Sequence, residues 1–354
     1  MKTLSLWAVP VILVLLCANV ATPLTAWADT PVPTTTQTPT WTAGEPTTIT
    51  LMSHDSFNVS ESVIAEFEAT YHAKLQLLPS GDAGSALNQA ILSKNNPLAD
   101  VFFGVDNTFL TRALEADIFE PYASPALTDI PDELKLDDQN RLLPVDYGDV
   151  CLNYDKAWFK DKVLDPPANL EALIKPEYKG LTVVENPATS SPGLAFLLAT
   201  IGHFGDPGYL DYWRALRANE VLVAASDGNR PVVVSYASSP PAEVYFAETP
   251  LDEAPTGVVV ADGACFRQIE FVGILKGTQQ RALAEKLIDF MLSRRFQEDV
   301  PLQMFVFPAN QKAALPEVFV RFAQVPEHPA YLAPEAIGEK RQAWIEAWTE
   351  VMLQ

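Results

Sequence analysis

Polar, chemically able side chains gather in this chain where apolar runs stop. The apolar run 99–105 ends in Asp106 and Asn107, the run 48–53 ends in His54, Asp55 and Ser56, and the run 231–236 ends at Tyr236 before Ser238 and Ser239. Carboxylates, an imidazole, hydroxyls and an aromatic ring so placed can hold a small polar or cationic molecule, because the carboxyl ends of strands form the crevice of an open α/β sheet. The fullest such stretch is 185–198, ENPATSSPGLAFLL, a polar turn that runs straight into an apolar helical pattern. Thr189, Ser190 and Ser191 can cap that helix, Pro192 suits its first turn, and Leu194, Leu197 and Leu198 share a face. Ser190, Ser191 and Gly193 are candidate contacts, since a helix start offers unpaired N–H groups and positive dipole to a phosphate or carboxylate without any lysine. The same residue types also serve as plain helix caps.

Catalytic patterns are missing from the sequence. It has no G-x-S-x-G elbow, no P-loop and no H-E-x-x-H, and His54, His72, His203 and His328 show no metal spacing, so no metal and no cofactor are expected. Asp106 and Asp146 could act as a hydrolytic carboxylate pair, which keeps a secreted hydrolase as an alternative. Charge narrows the partners. With Lys+Arg 24 against Asp+Glu 45 and a formal net charge of -21, the chain repels nucleic acid and anionic membranes and favours a cationic ligand.

The elements that must position these residues follow from patterning. Residues 1–28, with Lys2, an apolar run and Ala26-Trp27-Ala28, read as a signal peptide, and the Thr/Pro-rich 29–46 as an extended tether. The body that follows alternates strand and helix, which predicts α/β architecture with parallel strands. Two long extended stretches, 141–156 and 265–275, break the rhythm and can carry the chain from one lobe to another and back. Tyr147 and Asp146 lie on the first of them. Cys151 and Cys265, at matching points of the two, remain as an even pair in an exported chain and are expected to form a disulfide. Amphipathic helices are predicted at 279–292 and at 341–352, where Trp344, Ile345 and Trp348 share a face.

Taken together, HDSF at 54–57, VDN at 105–107, VDYGDVCLNYDK at 145–156, NPATSSPGL at 186–194, SYASSP at 235–240 and RQAWIEAW at 341–348 resemble the substrate-binding proteins of thiamine-type ABC importers. The resemblance runs over most of the mature chain. It implies a two-lobed periplasmic-binding-protein fold of type II, each lobe a mixed, mostly parallel sheet flanked by helices, with lobe I at 47–147 and 270–312. Lobe II would be 148–269 and 313–354, including the C-terminal helices. It also implies an exported monomer, periplasmic or at the extracellular face of the membrane, that binds thiamine or its phosphates, docks to a membrane permease and performs no chemistry. Ferric ion and polyamine are the alternative solutes of the wider class. Carried over by position, Asp55 would lie beside the ligand's heterocycle, Ser190 and the helix start would take the phosphate or hydroxyl end, and Tyr236 would stack on a ring. The best-known pattern has an aromatic where His54 stands, a tyrosine at Ala242 and a tryptophan at Phe305. It also has an aromatic helix between Val223 and Val232, where this chain has only 224–231. Phe305 and Phe307 are the expected substitutes.

Overall fold

Three apolar runs near the start of the body form parallel strands, β1 (Thr47–Ser53), β2 (Ala73–Pro79) and β3 (Val101–Asp106), separated by helices Glu61–Tyr71 and Ala83–Leu92. β3 is buried along its whole length, as its unbroken apolar sequence requires. The structure is a computed structural model that describes residues 44–224 and 229–353. The expected signal peptide, the tether up to residue 43 and positions 225–228 of the short 224–231 segment lie outside the described residues.

The remaining strands are β4 (Phe119–Glu120), β5 (Leu143–Asp155), β6 (Thr182–Val184), β7 (Leu222–Val223), β8 (Val232–Tyr236), β9 (Thr256–Val259), β10 (Phe266–Leu275) and β11 (Phe307–Pro308). All join one mixed sheet in the order β2-β1-β3-β10-β5-β8-β6-β7, with β4 beside β10 and both β9 and β11 beside β5. Its two ends are parallel. Its middle is the antiparallel pair of long strands β5 and β10, paired from Val150 opposite Phe266 to Leu143 opposite Val272 with a shift of register between Glu270 and Phe271. Each long strand serves two neighbourhoods: β10 pairs with β5 through its first half and with β3 through its second, while the far half of β5 pairs with β8 and β9.

Apolar side chains collect into two large cores. One contains Ile49, Phe67, Phe102, Val145, Phe271 and Ile288, and the other Val150, Phe196, Trp213, Val234, Phe266 and Trp348. β5 and β10 run from one core to the other. Beside the second core, Cys151 and Cys265 are joined by a disulfide with Cα atoms 4.3 Å apart, packed with Ala237 and Val258.

Two early helices start without a side-chain cap. The helix after β3 begins at Leu110 behind Phe109, without a side-chain cap, because Asp106 is already committed to the Thr108 N–H and hydroxyl. Ser60 occupies the cap position of Glu61–Tyr71, but its hydroxyl donates to Asp299 at 2.6 Å rather than closing its own helix. The C-terminal helix spans Pro334–Leu353 and buries Trp344 and Trp348, the latter edge-on to Trp213 at 5.5 Å.

Candidate ligand-binding site

Strand ends from both cores converge on a cavity of about 1060 Å³. From the first core's side come His54, Asp55 and Ser56 after β1, Asp106 at the end of β3, and Asp146 on β5. From the second come Ser190 and Ser191 at the start of helix Ser191–Phe204, Tyr236 at the end of β8, and Ser238 and Ser239 beyond it. Phe305 closes one side.

Three expected contacts are not in the wall. Asn107 is turned to the backbone, its amide donating to the Arg267 carbonyl at 2.9 Å and accepting from the Ile269 N–H at 3.1 Å. Tyr147 follows Asp146 on a strand and so faces the other way, stacked on Phe307 at 5.4 Å beneath the Arg267 guanidinium. Gly193 sits against β6's exit, where a Cβ would lie 2.7 Å from the Glu185 carbonyl oxygen, and its N–H is donated to Ser190 Oγ at 3.0 Å.

The cavity's electrostatics are one-sided. Asp55, Asp82, Asp106, Asp146, Glu185 and Glu270 line it, and among the described residues no Lys or Arg does. Glu270 on β10 is the register partner of Asp106 on β3 and of Asp146 on β5, so three carboxyls stand side by side across three strands. Burial, then the charge of the neighbouring Glu270 carboxylate, push Asp146 well above the usual carboxylate range. Neither Asp146 oxygen has a hydrogen-bond partner among the described residues. Asp106 is likewise raised by burial, against the opposing pull of its two bonds from Thr108. His54 is the one lining side chain that can become cationic, and its Nε2 lies 3.0 Å from Glu270 Oε1, close but poorly aligned for a hydrogen bond. Burial lowers the His54 pKa, but Glu270, Asp106 and Asp55 together outweigh it and raise the net value.

Two glycines make room for this arrangement. Gly104 has φ +102, and a Cβ there would fall 2.3 Å from His54 Cδ2. Gly148 faces the Tyr236 ring, where a Cβ would come within 2.9 Å of Cδ1. The ring is held from its far end, since Tyr236 Oη donates to Gln268 at 2.8 Å. Phe305, also at positive φ, rests against Tyr245, Phe246 and Phe319, whereas Phe307 is core.

Glu270, Gln268, Asp82, Glu185 and Gly148 line the cavity and were not among the expected contacts. Gln268 and Glu270 carried a usable signal, two polar residues at strand spacing inside an otherwise apolar run. Asp82 follows the end of β2 as Asp55 follows β1. Nothing in the pattern marks Met304 or Leu353.

Residues 96–319 match the family described as bacterial extracellular solute-binding protein. The chain belongs to this family. Its place is therefore outside the cytoplasm, and it is a binding protein and not an enzyme. The solute-binding chain is 29% identical over 317 residues to the thiamine-binding periplasmic protein of Salmonella typhimurium, covering 85% of this chain and 92% of that one. The corresponding Escherichia coli protein is 27% identical with the same coverage. A solved periplasmic thiamin binding protein superposes with a TM-score of 0.73 at 25% identity, over 87% of this chain and 96% of that one. The ferric binding protein from Campylobacter jejuni superposes at 0.70 with 19% identity, over 86% and 99%, and speaks to fold alone. The fold is the two-lobed type II architecture of periplasmic binding proteins.

Proposed function

We propose that this solute-binding protein captures thiamine, or a closely related thiamine compound, outside the cytoplasm and delivers it to an ABC permease in the membrane. The observation that carries this reading is the cavity wall: among the described residues, six carboxylates and no Lys or Arg surround a half-buried tyrosine and a phenylalanine. A flat thiazolium cation suits that wall, because an aromatic face and nearby carboxylates both stabilise a desolvated positive charge. Tyr236 stacks on a ring of the ligand, Asp55 and the Asp106, Glu270 and Asp146 carboxyls face the cationic heterocycles, and Ser190 marks the end that takes the hydroxyethyl arm. The names and the extent of the relatives support the same assignment. In this reading lobe I comprises 47–147 and 270–312 and lobe II 148–269 and 313–354, and the protein works as a monomer without a nucleic-acid partner.

A thermal-shift screen of thiamine, its mono- and diphosphate, spermidine and ferric citrate tests the assignment. Thiamine is expected to raise the melting temperature. A response to spermidine or ferric citrate with none to any thiamine compound would reassign the site to the wider class. Ferric ion has less to hold it here, because Tyr236 is followed by Ala237 rather than by a second phenol.

A further inference from the structure

We propose that this cavity selects the unphosphorylated alcohol form of its cationic ligand, and that Glu185 is the residue that rejects phosphate esters. The inference rests on the thiamine reading above and sharpens it. Phosphate recognition at a helix start needs several free N–H donors, a cation, or both. The turn before helix Ser191–Phe204 has used its donors internally. Ala188 N–H donates to Asn186 Oδ1 at 2.9 Å, and the Thr189 and Ser190 N–H groups both donate to the Asn186 carbonyl, at 3.1 and 3.0 Å. Gly193 N–H goes to Ser190 Oγ at 3.0 Å, while Pro187 and Pro192 have no N–H to give. Ser191 is left as the one N–H between 188 and 193 with no partner among the described residues.

The positive end of the helix is also already neutralised. Ser190 donates its hydroxyl to Glu185, whose carboxylate stands on the cavity wall beside that helix start. An incoming phosphate would meet this carboxylate, five more around the same cavity and, among the described residues, no lysine or arginine. A primary alcohol fits where a phosphate does not. It can donate to Glu185 and accept from the Ser191 N–H, keeping all three groups satisfied.

Calorimetry on the intact protein with thiamine, thiamine monophosphate and thiamine diphosphate decides the matter. Thiamine should bind at least about tenfold more tightly than the diphosphate, the scale set by like charges brought together in a binding site. In Glu185→Gln that ratio should shrink about tenfold, because the amide removes the repulsion and adds a donor. A wild-type protein that binds the diphosphate as tightly as thiamine overturns the proposal, and so does an unchanged ratio in a folded Glu185→Gln variant. The wild-type ratio needs no variant to fold. If none of the three compounds binds, the thiamine reading itself fails, a result distinct from loss of selectivity.

Discussion

At the scale of single residues, the site is built from groups held in costly states. Asp146 is fully buried with neither oxygen hydrogen-bonded, beside a second carboxyl, and its pKa is raised in the folded protein. A raised carboxyl pKa means the folded state holds the proton that the unfolded chain releases, so stability falls as pH rises from the ordinary carboxylate value to the raised one. Asp146→Asn should therefore stabilise the empty protein at neutral pH, with the gain fading as pH falls through that window. Urea titrations of both proteins between acid and neutral pH measure it, and a gain independent of pH would contradict the raised pKa. Gly148 makes the opposite case, a residue whose value is the absence of a side chain. Gly148→Ala should displace the Tyr236 ring, costing roughly 1 to 3 kcal/mol from overpacking and weakening ligand binding with it. Calorimetry and melting curves on the variant report the two effects separately.

At the scale of elements, the disulfide closes a sequence separation of 114 residues, from Cys151 within β5 to Cys265 just before β10. Its removal by Cys151→Ala with Cys265→Ala should destabilise the protein by about 4 to 5 kcal/mol in the chain-entropy account. Titration of the denatured, unreduced mature chain, without the expected signal peptide and its Cys17, should find no free thiol. The strands and helices themselves were largely legible, because their apolar periods are strong: the long strand expected at 141–156 is β5, and the helix expected at 279–292 is Arg281–Met291. Short elements were not. β9 has four residues and follows a proline-broken stretch, so it has too few alternations to register, and it exists by pairing with β5. Site residues divided along the same line. Those at the ends of apolar runs, such as Asp55, Asp106 and Tyr236, could be read from position. Glu270 shows in the sequence only as a polar break in an apolar run, its place between two other carboxyls depending on strand pairing, and Gly148 could not be read at all, since its role depends on the Tyr236 ring it faces. The helix start at Ser190 is only partly legible for a related reason: a turn's N–H donors can be taken by its own acceptors, as at Asn186 and Ser190, and sequence does not say which.

At the scale of the whole molecule, acidity is both general and focused, with a formal net charge of -21 over the chain and six carboxylates around one cavity. Self-repulsion and attraction for a cation respond to salt with opposite signs. Raising ionic strength from about 0.01 M to about 0.15 M shortens the screening length from roughly 30 Å to roughly 8 Å. That change should raise the melting temperature of the empty protein and lower its affinity for thiamine. Parallel melts and calorimetry check both, and an affinity that does not fall would remove charge as the basis of capture. Between the two cores, β5 and β10 form an antiparallel ribbon whose last paired residues, Val150 and Phe266, adjoin the disulfide. A ladder bonded along its length and bolted at one end resists sliding of one rail past the other, yet bends and twists at far lower cost. The two halves are thus geared to rotate about the ribbon like the covers of a book about its spine, and each closure returns the same faces to the same opposition.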